Sequence, residues 1–210
     1  MSASDVLARK PDAPIPLTVL TGFLGAGKTT LLNRLIKDPA LAETAVIINE
    51  FGEIGLDHLL VERIDDNLVL LQSGCLCCTM RGDLVSALEK LLRDLDNGRA
   101  RFSRVVIETT GLADPAPVLH TLMNDPLVAA RFRLDGVVTT VDAVNGARQL
   151  DEHPESIKQA AVADRLLLTK QDIASGDQVG GLTARLRRLN PAAPVYAVSH
   201  GHIEPDRPFA

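Results

Sequence analysis

The sequence lacks the features expected of a nucleic-acid-binding or membrane protein. Its 210 residues contain 22 Lys and Arg against 27 Asp and Glu, a formal net charge of −5, and no basic cluster offsets this balance. A general nucleic-acid binder would show a basic surplus or stripe. No apolar run reaches the roughly 18 residues of a membrane-spanning helix, and the chain begins with charged residues and prolines rather than a signal segment. These absences predict a cytoplasmic protein that binds neither nucleic acid nor membrane.

Cysteine is also scarce. The chain has three cysteines, all within Cys75-Leu76-Cys77-Cys78. In a reducing compartment such a cluster is expected to provide thiolates for a metal or for redox work rather than a disulfide framework. Cys75, Cys77 and Cys78 can converge on one soft or borderline cation if a further ligand completes the shell. The alternative is that these are buried structural cysteines.

The further metal ligand is sought in the acidic stretch that follows the second apolar run. There Asn49, Glu50 and Glu53 follow a predicted buried strand, at the sheet edge where α/β proteins place ligand-binding groups. Glu53 is the first candidate for the metal, with Glu50 in the same set and His58 a weaker candidate. The alternative is an ordinary acidic surface loop.

Apolar runs and helical patterns alternate along the chain. Seven runs rich in Val, Ile and Leu occur at residues 17–20, 45–49, 68–72, 105–108, 136–141, 165–169 and 194–198. The helical patterns between most of them predict an α/β fold, a doubly wound, mostly parallel sheet of about seven strands with helices on both faces. The clearest helices are predicted over Arg81 to Asp96 and over Gly176 to Leu189, the second with a capping box of Ser175 and Gln178.

The chain is expected to form one domain with two short flanks. Residues 1–16 are predicted to be a flexible leader, residues 17–200 the folded domain, and residues 201–210 a tail or the start of a linker.

The most specific motif is the glycine-rich stretch that follows the first apolar run. Gly22-Phe23-Leu24-Gly25-Ala26-Gly27-Lys28-Thr29 stands between a predicted strand and a predicted helix, the context of a phosphate-binding loop. Lys28 is expected to reach the β- and γ-phosphates, and the Thr29 hydroxyl to bind Mg²⁺. The loop residues expected to contact nucleotide are Gly22, Gly25, Ala26, Gly27, Lys28, Thr29 and Thr30. The alternative is a chance glycine-rich turn.

An acid ends the fourth apolar run. Glu108 is followed three residues later by Gly111, an arrangement in which a carboxylate holds Mg²⁺ and a glycine N–H senses the γ-phosphate. Because Glu is longer than the commoner Asp, a water-bridged contact with Mg²⁺ is favoured over direct ligation. Lys28, Thr29, Glu108 and Gly111 are therefore the predicted catalytic residues, and a solvated strand end is the alternative for Glu108. Asp114-Pro115 is predicted to start the next helix, with Asp114 as its cap.

The sixth apolar run ends in Thr169-Lys170-Gln171-Asp172, which suits guanine recognition. The Asp172 carboxylate would accept from the ring N–H and the exocyclic amine, while the Lys170 stem lies along the base. Adenine would leave Asp172 without these donors, which is costly in a dry pocket. Ser199, at the end of the last run, is expected in a loop that contacts the base. Asp142, at the end of the fifth run, is predicted to cap the segment that follows it, with a place beside the nucleotide as the alternative.

In combination these motifs resemble the GTPase domain of the CobW-type metallochaperones, in the metal-handling group of P-loop GTPases with the hydrogenase and urease maturation GTPases. The resemblance runs from about Leu17 to His202. The motifs that carry it are Gly22 to Thr30, Asn49 to Glu53, Cys75 to Cys78, Glu108 to Gly111 and Thr169 to Asp172. One departure is Thr169, which stands where the guanine motif often has Asn.

The resemblance implies a P-loop NTPase that hydrolyses GTP to GDP and phosphate with Mg²⁺, binds Zn²⁺ or Co²⁺ near the cysteines, and delivers the metal to a client metalloprotein. The resemblance is also compatible with a homodimer. It implies that residues 201–210 are a tail or the start of a linker to the family's usual C-terminal domain, which is absent from these 210 residues. Segments 49–58 and 75–78 would respond to the γ-phosphate. Hydrolysis is expected to be slow, because no arginine finger or water-orienting glutamine is evident. The alternatives are a non-catalytic metal-buffering or sensing module and a P-loop kinase for a small molecule.

Overall fold

The structure is a computed structural model that describes residues 13–35, 37–41, 43–50, 68–72 and 80–198. Its strands are β1 Ile15–Gly22, β2 Thr44–Glu50, β3 Leu68–Gln72, β4 Arg104–Glu108, β5 Phe132–Asp142, β6 Arg165–Thr169 and β7 Val195–Ala197. They form a 7-stranded sheet in the order β3-β2-β4-β1-β5-β6-β7, and each neighbouring pair is parallel. The predicted α/β fold and its strands are confirmed.

The helices lie between the strands along the chain. They are α1 Lys28–Leu35, α2 Met80–Asp96, α3 Ala116–Asn124, α4 Pro126–Arg131, α5 Gly146–Glu152, α6 Pro154–Ala161 and α7 Gly176–Leu189, with a 3₁₀ helix at Pro39–Leu41. The two clearest helix predictions are confirmed as α2 and α7. The capping box is present as well, since Ser175 Oγ accepts from the amide of Gln178 and Gln178 Oε1 accepts from the amide of Ser175. Among the described residues no helix has the length and apolar character to cross a membrane.

Alternate residues of the strands face two separate hydrophobic cores. Val19 packs in one core with Leu88 and Leu92 of α2, and its neighbour Leu20 packs in the other with Leu31 and Leu32 of α1. Side chains that alternate along a strand point to opposite faces of the sheet. The helices therefore cover both faces, as the doubly wound prediction requires.

Two boundaries differ from the sequence predictions. Ile15 is buried and pairs with Phe132, so β1 begins two residues before the predicted start of the domain. Asp114 was predicted as the cap of the next helix, and this is wrong: Pro115 occupies the cap position, while Asp114 Oδ1 accepts from the amide of Ala116 at 3.0 Å. Most of the predicted leader and all of the predicted tail lie outside the described residues.

The strand order determines which loops meet. β1 lies between β4 and β5, and β6 lies on the other side of β5. Because all these strands are parallel, the residues that follow their carboxyl ends share one edge of the sheet. This edge holds the phosphate loop, Glu108, Asp142 and the Thr169 motif.

Candidate functional site

The loop between β1 and α1 has the backbone shape of a phosphate-binding loop. Gly22, Gly25 and Gly27 have φ angles of 141°, 72° and 87°, which glycine adopts without strain. A turn closes within the loop, where the amide of Ala26 donates to the carbonyl of Phe23 at 3.1 Å, and α1 begins at Lys28. The predicted succession of strand, loop and helix is therefore confirmed.

Lys28 is held inside the curve of this loop. The residue is buried, and Nζ donates to the carbonyl of Gly22 at 2.9 Å and to that of Phe23 at 3.3 Å. The ammonium group is thus fixed near the N-terminus of α1, where the helix dipole also favours negative charge. The loop therefore presents both a cation and a helix N-terminus to an anion.

Thr29 and Glu108 form the link between the loop and β4. The Thr29 hydroxyl donates to Oε1 of Glu108 at 3.1 Å, and Glu108 is 5% exposed. Mg²⁺ prefers oxygen donors, and a hydroxyl beside a carboxylate supplies two. These two residues fit a Mg²⁺ site.

Gly111 lies directly against the phosphate loop. A Cβ at this position would lie 2.7 Å from the backbone nitrogen and 2.8 Å from the Cα of Leu24, so no side chain fits. Thr109 anchors the backbone just before it, because its amide donates to the carbonyl of Leu20 at 2.9 Å and its hydroxyl donates to Thr21 Oγ1 at 2.8 Å. The segment that follows Glu108 is thereby brought to the phosphate loop, where the sequence placed it.

Gln159 of α6 holds the same segment, and sequence reasoning missed it. Its side chain is almost fully buried, and Nε2 donates to the carbonyls of Gly111 at 3.2 Å and Ala113 at 3.0 Å. The adjacent Lys158 pairs with Asp114 at 2.7 Å, and this bond together with the Ala116 amide lowers the pKa of Asp114 below its usual value. A single Gln within a helix carries no sequence signal for such a contact.

The beginning of α6 also contacts the phosphate loop. The ring of Phe23 stacks on the imidazole of His153, with centroids 4.5 Å apart and an interplanar angle of 24°. The same helix therefore touches both the loop and the segment after Gly111. No spacing in the sequence marks His153 for this contact.

Thr169 joins β6 to the phosphate loop. Its buried hydroxyl lies 2.9 Å from the carbonyl oxygen of Ala26 and 3.2 Å from that of Val141. A hydroxyl has one hydrogen, so the two carbonyls share it. Thr169 therefore braces the loop from the position where the guanine motif often has Asn.

Lys170 is fixed by a carboxylate from the neighbouring strand. Its φ of 57° is uncommon for a residue other than glycine, and its Nζ donates to Oδ2 of Asp142 at 2.8 Å. Asp172, two residues later, is exposed. Ser199 lies outside the described residues, so its predicted contact with the base stays a prediction.

Asp142 has two roles, of which the sequence predicted one. Its Oδ1 accepts from the amides of Val144 at 2.8 Å and Asn145 at 3.1 Å, which confirms the predicted cap of the following segment. Its other oxygen accepts from Nζ of Lys170 and from Nδ2 of Asn145, contacts that sequence reasoning missed. Burial alone would raise the pKa of Asp142, but the hydrogen bonds from Lys170, Asn145 and Val144 outweigh it and lower the pKa below its usual value.

The predicted transition-metal ligands lie outside what the structure describes. This applies to Cys75, Cys77, Cys78 and Glu53, and to the side chain of Glu50. Within the described residues, no group of three or more His, Cys, Asp and Glu side chains is arranged to hold a metal. The backbones of Glu50 and Gln72 are directly paired at the ends of β2 and β3. The chain therefore leaves the sheet towards both predicted ligand segments from neighbouring positions.

The sequence is similar to several characterised proteins. It is 44% identical over 191 residues to the zinc chaperone YjiA of Escherichia coli K12, covering 91% of this chain and 59% of YjiA. It is 35% identical over 198 residues to the zinc-regulated GTPase metalloprotein activator 1 of Schizosaccharomyces pombe, covering 91% of this chain and 47% of that protein. The chain thus spans about half to three fifths of the length of these relatives.

The fold is similar to that of YjiA. A crystal structure of Zn(II)-bound YjiA GTPase, in a triple mutant with one Glu and two Cys replaced by Ala, superimposes with a TM-score of 0.74 at 38% sequence identity, covering 94% of this chain and 61% of that one. The sequence profile of the CobW/HypB/UreG nucleotide-binding domain matches residues 16–197. The chain therefore belongs to the CobW/HypB/UreG family of nucleotide-binding domains.

Proposed function

We propose that this chain is a Mg²⁺-dependent GTPase that binds Zn²⁺, or a similar ion such as Co²⁺, at its Cys-x-Cys-Cys motif and delivers it to a client protein. The observation that carries the proposal is the hydrogen bond between Thr169 and Ala26, because it joins the guanine motif to the phosphate loop in one site. Family membership and the names of the relatives, a zinc chaperone and a zinc-regulated GTPase, support the metal-handling part.

Lys28 and the loop amides bind the β- and γ-phosphates in this proposal. Thr29 and Glu108 hold Mg²⁺ directly or through water, and a bound Mg²⁺ would neutralise charge that builds up on the phosphate oxygens. Hydrolysis transfers the γ-phosphoryl group to water and releases GDP and phosphate. The Gly111 amide senses the γ-phosphate, and its contact with Leu24 keeps it close to the loop.

Base selection is assigned to the residues that follow β6. Asp172 accepts from the ring N–H and the exocyclic amine of guanine, and the stem of Lys170 lies along the base. The position of Asp172 supports this role, because it is an exposed residue that follows β6 at the same edge of the sheet as the phosphate loop. Adenine lacks this pair of donors, so ATP binds more weakly.

The metal is assigned to Cys75, Cys77 and Cys78, with Glu53 as the first candidate for a further ligand and Glu50 as another. The segments that carry these candidate ligands follow β2 and β3, whose last residues, Glu50 and Gln72, are directly paired. β2 is also paired with β4, which carries Glu108. A change at the γ-phosphate that moves the segment after β4 can thus act on its neighbours. We infer that GTP changes the affinity for the metal, and linkage then requires that the metal change the affinity for GTP by the same factor.

The test is a calorimetric titration of the protein with Zn²⁺ in three states: without nucleotide, with GDP, and with a non-hydrolysable GTP analogue and Mg²⁺. Each titration is repeated with Cys77→Ala. Because YjiA is Zn(II)-bound even in a variant that has lost one Glu and two Cys, total zinc binding does not isolate one site. A parallel titration with Co²⁺ therefore follows thiolate-to-metal charge-transfer absorption, which reports only cysteine ligation.

A metal affinity that depends on the nucleotide, together with a charge-transfer band that is weaker in Cys77→Ala, is the expected result. Equal affinity in all three states and negligible GTP turnover would instead indicate a metal-buffering module that uses nucleotide as a structural ligand. Phosphate transfer from ATP to a small acceptor would indicate a kinase. Either result would overturn the proposal.

A further inference from the structure

The carboxylate of Asp142 connects the carboxyl ends of β5 and β6. This is the base side of the site, the part assigned above to the nucleotide base. One oxygen accepts from the amides of Val144 and Asn145, and the other accepts from Nζ of Lys170 at 2.8 Å and from Nδ2 of Asn145 at 3.1 Å. The Asp142 side chain is 2% exposed, whereas that of Lys170 is 37% exposed. The buried acid thus holds a lysine whose remaining surface is accessible from solvent.

The backbone around this pair is also fixed. Lys170 follows β6 directly and has a φ of 57°. The carbonyl of Thr169 accepts from the amide of Ala143 at 2.9 Å, and the amide of Ile173 donates to the carbonyl of Lys170 at 3.3 Å. Lys170 is therefore held at both ends, by its turn and by its ammonium group, so that the aliphatic stem between them has little freedom.

A lysine stem that is already ordered loses less conformational entropy when the nucleotide base binds against it. A lysine side chain has many rotamers, and part of this conformational entropy is lost when a ligand orders the side chain. An ion pair made before the ligand arrives removes part of that loss from the binding step. The hydrogen bonds that lower the pKa of Asp142 favour its ionised form, so the carboxylate is charged at neutral pH and can pair with Lys170.

We propose that Asp142 is a positioning residue for base recognition, which holds Lys170 so that its stem meets the face of guanine and Asp172 meets the edge. The inference rests on the proposed function, in which Lys170 and Asp172 recognise the base. Asp142 does not touch the nucleotide in this account. It acts through Lys170, whose amine it fixes.

The competing account is that Asp142 only caps the turn before α5. Asp142→Asn separates the two accounts, because the amide oxygen can still accept from the backbone amides of Val144 and Asn145 while the charge that pairs with Lys170 is removed. The acceptor for Nδ2 of Asn145 is lost with that charge, so the comparison with Lys170→Met, which leaves Asp142 intact, isolates the ion pair. Asp142→Ser is the second variant, in which the hydroxyl retains a short acceptor for the turn. Thermal unfolding followed by circular dichroism establishes that each variant is folded.

The experiment is a double-mutant cycle on nucleotide affinity. GDP and ADP are titrated into the wild-type protein, Asp142→Asn, Lys170→Met and the double variant, and Asp142→Ser is titrated alone. We expect each single substitution to weaken GDP binding about tenfold while ADP binding changes little. The double variant should bind GDP no more weakly than Lys170→Met, because Asp142 acts through Lys170.

The matched control is Asp114→Asn. Asp114 resembles Asp142 in accepting from a backbone amide with one oxygen and from a lysine, Lys158, with the other at 2.7 Å. The ratio of GDP to ADP affinity should not change in this variant. A change as large as that in Asp142→Asn would show that loss of any such pair is enough, and would overturn the inference.

The experiment distinguishes a failure of the positioning role from a failure of guanine recognition. Additive losses in the double variant, or wild-type GDP affinity in Asp142→Asn, would overturn the positioning role and leave guanine recognition intact. Asp172→Asn is titrated with GDP and with xanthosine diphosphate as a separate arm. If it leaves the preference between these two bases unchanged, guanine recognition itself fails, and the inference fails with it.

Discussion

The phosphate side and the base side of the site are built in different ways. On the phosphate side, the loops after β1 and β4 make a close backbone contact between Gly111 and Leu24, and Thr29 of α1 bonds to Glu108. On the base side, β5 ends in a buried carboxylate, Asp142, that pairs with Lys170 after β6. The first side combines close backbone contacts with the buried side chains of Lys28 and Glu108, and the second depends on an ion pair between two side chains. Substitutions should therefore have different effects on the two sides.

The largest expected effect is on turnover, from Glu108→Gln on the phosphate side. The variant removes the charge that we assign to Mg²⁺ and keeps the shape of the side chain. We expect kcat for GTP to fall on the order of 100-fold, because the metal's stabilisation of transition-state charge is weakened. Steady-state phosphate release measures this at several Mg²⁺ concentrations, with Glu89→Gln on α2 as the surface control. Unchanged turnover and unchanged Mg²⁺ dependence in Glu108→Gln would remove Glu108 from the metal site.

The next effect is on base preference, from Asp172→Asn. Xanthine carries a carbonyl where guanine has its exocyclic amine, so an amide at 172 can donate where the carboxylate accepted. Loss of a hydrogen bond to a charged group corresponds to about 1.5–3 kcal/mol, so we expect GDP affinity to fall on the order of tenfold to 100-fold while xanthosine diphosphate affinity rises. Competition titrations measure both, with Asp177→Asn on α7 as the exposed control. Equal losses for both nucleotides would show that Asp172 does not read the base.

Gly111→Ala should have a smaller effect, divided between stability and γ-phosphate sensing. The added methyl group would collide with the backbone of Leu24, and such overpacking costs about 1–3 kcal/mol of folding free energy. Affinity for a GTP analogue should fall more than affinity for GDP. Gly180→Ala on α7 is the control of opposite sign, since a Cβ there meets no atom within 4 Å and the substitution should stabilise the helix by about 0.5–1 kcal/mol. Urea unfolding and nucleotide titrations measure both variants. Equal stability of the two would contradict the close contact at Gly111.

The smallest effect is the pH dependence of the two Asp–Lys pairs. Asp142 and Asp114 both have pKa values below the usual one, so each stabilises the fold above its unfolded pKa, and this contribution is lost as the pH falls through the folded pKa. The melting temperature should therefore decrease below about pH 4. Asp142→Asn should reduce this dependence more than Asp114→Asn does, because Asp142 is 2% exposed and Asp114 is 36% exposed. Thermal unfolding between pH 2.5 and 7 measures the melting temperature of each variant. If the melting temperature depended on pH with the same slope in both variants, the expected effect of burial would be contradicted.

The phosphate loop could be predicted from the sequence because its residues are contiguous. Gly22 to Thr29 specifies the loop and the start of α1, and hydrophobic patterning identifies the strand that ends in Glu108, although only the folded sheet places that strand beside β1. The alternating apolar runs were likewise sufficient for the sheet and for helices such as α2. Local periodicity specifies these elements, and the structure confirms them.

The supporting contacts could not be read in the same way. Asp142 and Lys170 are 28 positions apart, and Gln159 is 48 positions from Gly111, so each contact depends on how two elements pack. The cap assigned to Asp114 was wrong because the following proline occupies the cap position itself. At position 169 the motif often has Asn, and the shorter Thr hydroxyl still reaches the Ala26 carbonyl because β6 ends close to the loop. Such distances follow from tertiary packing, which sequence patterns do not specify.

The most direct measurement is a calorimetric titration of the wild-type protein with GDP and with ADP in the presence of Mg²⁺, with Lys28→Ala as the negative control. If the phosphate loop and the Thr169 motif form one guanine nucleotide site, GDP binds with one molecule per chain, ADP binds on the order of 100-fold more weakly, and Lys28→Ala removes binding of both. Equal affinity for GDP and ADP would contradict the account, because the base side would then take no part in recognition.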